Sequence, residues 1–159
     1  MQQKLFATPQ EAAMSGFSAR YCRVVATAVD GDDGYVVVDT GSDGHPYLYG
    51  GAVKREAGGW SDGTSGNGDG WISSGDLEEE IGAYALWGEA PAGADAVRAR
   101  WRGDVRETLI EHGVYLVAWW RVPCPEDDYP SVTEFRIDGN WVTAARSPLL
   151  DKYRPPSSH

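Results

Sequence analysis

"VYLVAWWRV", residues 114 to 122, sets the terms for the rest of the chain. Successive strand side chains point to opposite faces. One face therefore carries Tyr115, Val117, Trp119 and Arg121, and the other Val114, Leu116, Ala118, Trp120 and Val122. Both faces are apolar. If "GD" at 103 and 104 and "HG" at 112 and 113 are two-residue hairpin loops, the first face continues through Val97, Ala99, Trp101, Thr108 and Ile110 and forms a core. The opposite face then mixes Arg98, Arg100 and Arg102 with Glu107, and Arg100 falls opposite Glu107 as a cross-strand charge pair. A one-residue change in either turn would reverse the assignment. Trp119 and Trp120 cannot both lie in that one core, so an apolar patch is left to cover. The candidates are the N-terminal part of the chain, a second copy, or a ligand such as a sugar stacked on Trp, and covering within the chain is the economical answer.

Working outward, strands are expected at 82 to 88, 96 to 102, 105 to 111, 132 to 138 and 141 to 146, with turns at "PAGAD", "GD", "HG", "PCPEDDYPS" and "DGN". Short strands at this spacing suggest an immunoglobulin-like β-sandwich over residues 77 to 148. Toward the N-terminus, "TPQEAAMSG" places Thr8 as a helix N-cap, Pro9 at the first helical position, Glu11 three residues after the cap and Gly16 as the stop. Val- and Tyr-rich runs at 21 to 29, 35 to 40 and 46 to 56, punctuated by Gly and Asp, then read as an antiparallel meander. The expected fold is mainly β with one short N-terminal helix (α+β), a small antiparallel meander packed beside the sandwich. The units are 1 to 76 and 77 to 148, joined through the Gly/Ser/Asp-rich stretch Ser61 to Asp76, with a disordered tail at 149 to 159.

A chain of 159 residues with 42% hydrophobic and 24% charged residues is of ordinary globular composition. Its net charge of −10 repels phosphate backbones and anionic lipid, so neither nucleic acid nor a membrane is an expected partner. No stretch approaches a spanning apolar segment and the opening residues lack a secretory pattern, which points to the cytoplasm. Cys22 and Cys124 match no metal spacing and read as reduced, packed thiols.

The nearest approach to a chemical signature is "SGNGDGWISSGD", residues 65 to 76. Counted as a calcium loop it offers Ser65, Asn67, Asp69, Ser73 and Asp76 at the ligand positions, with Gly70 at the turn and Ile72 at the aliphatic position. A neutral Ser65 in first place, a short Asp76 in last place and a glycine-rich preceding segment argue for a turn instead. Three histidines offer few general bases: His45 and His112 sit in turn contexts and His159 ends the chain. The acidic runs also lie in turns. No nucleophile elbow, dinucleotide fingerprint or phosphate loop is present, so no catalytic residue and no cofactor are expected.

The combination "VVVDTG…PYLYGGAVKREAGGW…GTSGNGDGW" followed by "YALWGEAPAGADAVRARWRG…EHGVYLVAWW" resembles a group of uncharacterised small bacterial proteins in which a helix-plus-meander segment with an SGNG turn precedes a sandwich segment. That resemblance implies a fold and no activity. With seven Trp and eight Tyr, the residues point to a non-catalytic binding or accessory module. Its expected contact surface is Trp119, Trp120, Glu126, Asp127, Asp128 and Tyr129, with Pro123, Pro125 and Pro130 stiffening the loop for a basic protein partner or a second copy. The alternatives are weak calcium binding through residues 65 to 76, and a hydrolase that uses two carboxyls about 5 to 9 Å apart.

Overall fold

A computed structural model describes residues 4–41, 46–66, 70–76 and 81–144. The helix α1 runs Pro9–Met14, and the Thr8 hydroxyl accepts the Glu11 N–H at 3.1 Å, as the cap pattern requires. Its stop is Ser15 rather than Gly16. The Ser15 N–H and Oγ both donate to the Ala12 carbonyl, at 3.3 and 2.8 Å.

Eleven strands follow among the described residues: β1 Arg23–Asp30, β2 Asp33–Asp39, β3 Leu48–Glu56, β4 Gly59–Gly66, β5 Gly70–Asp76, β6 Ile81–Glu89, β7 Ala94–Trp101, β8 Asp104–Leu109, β9 Val114–Pro123, β10 Ser131–Ile137 and β11 Asn140–Thr143. The protein is mainly β, with antiparallel sheets and one short helix. The first sheet is the meander β1-β2-β3-β4, the second is β5-β6-β9 and the third is β11-β10-β7-β8. The stretch expected as a joint, Ser61 to Asp76, supplies most of β4 to the first sheet and all of β5 to the second.

These sheets stack through three apolar layers. Between the second and third sheets lie Tyr84, Leu86, Tyr115, Val117 and Trp119, packed on Val97, Ala99, Trp101 and Phe135. The other side of the second sheet places Ala85, Trp87, Val114 and Leu116 on Val25, Tyr35 and Val37 of the first sheet, with Trp120 half-buried against them. On the outer side of the first sheet, Val36, Val38, Val53 and Trp60 meet Ala12 and Ala13 of α1. Strand β9 is thus buried continuously from Val114 to Trp119, because each of its faces has a sheet to cover it. The N-terminal covering of the second apolar face is the arrangement observed, and Trp119 and Trp120 enter different cores.

Among the described residues, three turns have a non-glycine residue at positive φ followed by glycine: Arg102-Gly103 (52° and 78°), His112-Gly113 (55° and 71°) and Asp138-Gly139 (53° and 77°). This is the mirror-image turn whose twist suits a hairpin. It corrects the expected register. The β7–β8 loop is Arg102-Gly103, not Gly103-Asp104, so Trp101 opposes Asp104 and Arg98 opposes Glu107, while Arg100 faces Val105. The ion pair is accordingly Arg98–Glu107, at 3.1 Å. Because the loop slides by one residue but keeps its length of two, the core face survives. The His112-Gly113 turn joins no ladder: β8 and β9 belong to different sheets and meet through a single bridge, Glu111 to Val114.

The alternation of β9 breaks at Arg121, expected on the Trp119 face. Pairing with β6 slips between Gly82 and Tyr84, leaving Trp120 and Arg121 opposite Ala83, and Arg121 has φ 52°. This β-bulge lets Arg121 reach the β1–β2 hairpin, where its guanidinium lies 2.7 Å from Asp30 and 3.7 Å from Asp33.

Gly50 makes room between the first two sheets. A Cβ there would lie 2.5 Å from the Tyr35 hydroxyl and 2.7 Å from the Trp87 ring, and those two groups are joined by a hydrogen bond from Trp87 Nε1 to Tyr35 Oη of 2.9 Å. Gly50→Ala is expected to cost about 1–3 kcal/mol by overpacking. Phe135→Ala, which hollows a site of 0% exposure, is expected to cost about 3–5 kcal/mol. Urea unfolding followed by tryptophan fluorescence measures both.

Candidate functional site

The proline-rich connection between β9 and β10, residues 124 to 130, is held against the Arg102-Gly103 turn by its own chemistry. Trp101 Nε1 donates to the Asp128 carbonyl at 2.5 Å, and Arg102 Nε donates to the Asp128 carboxylate at 2.5 Å. The Arg102 guanidinium also sits 4.1 Å from the centre of the Trp101 ring. Trp101 is fixed in turn by its edge contact with Trp119, the ring centres 5.7 Å apart. The indole that fills a core therefore also sets the position of a surface loop. Pro130 is buried, while Glu126, Asp127 and Tyr129 are exposed, Tyr129 to 62%. Arg102, Pro123, Cys124 and the three acidic residues line an open groove of about 460 Å³.

Of the residues expected to form the contact surface, Glu126, Asp127, Asp128 and Tyr129 share this loop. Asp128 serves to hold it. Trp119 is corrected to the core: it is 3% exposed, its indole N–H donates to Asp104 at 3.2 Å, and it lies between two sheets. Trp120 belongs to the contact with the first sheet. Of the positions read as calcium ligands, Ser65 pairs with Gly51 in the first sheet, while Ser73 pairs with Gly82 and Asp76 with Ile81 in the second. Asn67, Asp69, His45 and His159 lie outside the described residues. Among the described residues, no three of His, Cys, Asp and Glu converge as metal ligands would.

A second concave place, which the sequence reading missed, lies on the outer side of the first sheet. Helix α1 is too short to cover that side, and Gly51 contributes no side chain to fill the space. A cleft of about 150 Å³ remains, lined by Ala13, Gly16, Phe17, Val36, Val38, Tyr49, Gly50, Gly51 and Asp62. Asp62 is exposed at the mouth of the cleft, and the partial desolvation it meets there pushes its carboxyl up, against the opposing effect of a hydrogen bond from the Gly63 backbone. No second carboxyl lines this cleft among the described residues. The signal in the sequence was "YLYGG": alternating Tyr47 and Tyr49 followed by a glycine pair in a strand, where a missing side chain marks a close approach or a hollow.

No family model, curated protein or solved structure matches the chain. Among the described residues, no helix is long and apolar enough to cross a membrane.

The Arg102 hydrogen bond holds the Asp128 carboxyl below its ordinary range, and the same bond raises Arg102. A carboxyl depressed in the folded state contributes stability above its unfolded value, about 4, and that contribution fades as pH falls through the lower folded value. The loop clamp is therefore expected to be complete at pH 7 and to loosen on acidification below about pH 4. In Asp128→Asn the loop should already be loose at neutral pH and show a smaller acid step. The chemical shift of the Trp101 indole N–H, followed between pH 7 and pH 3, checks this.

Proposed function

We propose that the protein is a non-catalytic binding module that presents the 124 to 130 loop to a basic segment of a protein partner. The observation that carries this reading is the division of labour among the acidic residues. Asp128 is consumed by Arg102 in holding the loop, while Glu126 and Asp127 stay exposed beside Tyr129. A loop fixed before the partner arrives loses less conformational freedom on binding. Exposed carboxylates offer a basic segment charge-assisted contacts, and the negative net charge of the chain speeds the encounter at low salt. The tyrosine adds an amphipathic surface at little entropic cost. We place the module in the cytoplasm, where the two free thiols, Cys22 and Cys124, stay reduced.

Titration with a pentalysine peptide at low salt, followed by amide chemical shifts, is the direct test. Shifts confined to Cys124, Glu126, Asp127, Tyr129 and their neighbours are expected. They should disappear in the Glu126→Ser/Asp127→Ser double variant and weaken steeply as salt is raised. Shifts spread evenly over the acidic surface, unchanged in the double variant, would show that the loop has no special part in binding.

A further inference from the structure

The cleft beside α1 differs chemically from the acidic loop. One wall is aromatic: the Phe17 and Tyr49 ring centres are 5.9 Å apart, and Tyr47 continues the run with its centre 5.5 Å from that of Tyr49. The floor is Val36 and Val38, and the glycine pair Gly50-Gly51 borders it. Among the described lining residues Asp62 is the one carboxyl, and none is Lys, Arg or His. Among the described residues it takes part in no ion pair, although nine ion pairs involve other carboxylates.

Two arginines of the first sheet are engaged by other groups, Arg55 with Asp32 at 2.9 Å and over the Trp60 ring at 5.7 Å, and Arg23 with Asp39 at 3.9 Å. The cleft at Asp62 is bounded by rings, methyl groups and glycine backbone. Aromatic faces attract cations through the ring quadrupole, and a carboxylate at the edge of an apolar hollow completes the attraction. The size sets a further limit, since an engineered cavity of about 150 Å³ accommodates a benzene-sized molecule.

We propose that the cleft formed by Phe17, Tyr49, Gly51 and Asp62 is a binding site for a small organic cation, a compact alkylammonium whose methyl or methylene groups lie against the rings while its charge faces the Asp62 carboxylate. An anion is repelled by Asp62 and by the acidic chain as a whole. A neutral apolar molecule gains the rings but leaves the carboxylate unpaired, and a hydrated metal ion gains the carboxylate but not the rings. An alkylammonium uses both. The site lies on the opposite side of the first sheet from the second and third sheets, so it is independent of the loop proposed above.

The test is calorimetric and chemical-shift titration of the full chain with tetramethylammonium, in parallel with tert-butanol as a neutral molecule of similar shape and with sodium as a simple cation. Saturable tetramethylammonium binding is expected, with shifts at Gly16, Phe17, Val36, Gly51 and Asp62. Asp62→Asn should weaken it roughly tenfold, and Tyr49→Leu, which keeps apolar bulk but removes the ring face, should weaken it several-fold. Tert-butanol and sodium should not saturate the site. Equal response to tetramethylammonium and tert-butanol, or tetramethylammonium binding untouched by both Asp62→Asn and Tyr49→Leu, would overturn the proposal, as would no shift at the cleft residues. Because Glu126 and Asp127 take no part, the double variant that tests the loop should bind tetramethylammonium normally, which keeps the two proposals separable.

Discussion

Strand β9 carries large apolar side chains on both faces, and an apolar face left in water loses about 25 cal/mol for every Å² that burial would have removed. That constraint organises the molecule. The second sheet has to lie in the middle, with the first sheet on one side and the third on the other, because no two-layer arrangement covers Trp119 and Leu116 together. The first sheet then meets the same demand: Tyr35 to Val38 of β2 are buried in succession, so its outer face needs α1. The outer face of the third sheet is polar. There Arg98 lies between Glu107 and Glu134 and stacks on Trp141, its guanidinium 3.7 Å from the ring centre.

A stack of open sheets has edges, and unpaired strand edges invite pairing with other chains. In the second sheet β9 is such an edge, and side chains of neighbouring strands engage it. Arg106 of β8 donates to the Ala118 carbonyl, with its Nε held by Asp104 at 2.8 Å. The bulge at Arg121 interrupts the pairing, which resumes at Val122 and Pro123, and turns the guanidinium toward Asp30 and Asp33. Both devices tie β9 to a neighbouring sheet, so the edge that could recruit another strand instead fixes sheets against each other. The same economy appears at Trp101, which packs in the core between the second and third sheets and whose N–H also fixes the acidic loop. Rigid elements of this kind let surface loops present binding groups without an ordering cost.

Most strands were legible because Val-, Tyr- and Trp-rich runs alternate with turn residues, and the helix because its cap is written in Thr8 and Glu11. The need for a second covering surface followed from the two apolar faces of residues 114 to 122. Partner choice was less visible. Arg102-Gly103 and Gly103-Asp104 are both plausible two-residue loops, and the preference for glycine in second place of the mirror-image turn decides between them. The stretch 61 to 76 resembled a joint because Gly, Ser and Asp are poor strand formers on propensity alone, and sheet pairing with Val53 and Ala83 overrides that preference. Trp119 was misplaced on a contact surface because a strand apolar on both faces reads as having one to spare. The cleft at Asp62 depends on where a helix stops relative to a glycine in another strand, and no local pattern encodes that.

If the middle sheet is the member on which the others rest, it cannot open while they remain folded. Native-state hydrogen exchange under mild denaturant tests this directly. Backbone amides of β6 and β9 that face the paired strand, such as Leu86, Tyr115 and Val117, are expected to exchange only through global unfolding and to form the slowest class. Amides of β2 or β10 that stay protected after those of β6 and β9 have exchanged would show that an outer sheet stands without the middle one, and would contradict it.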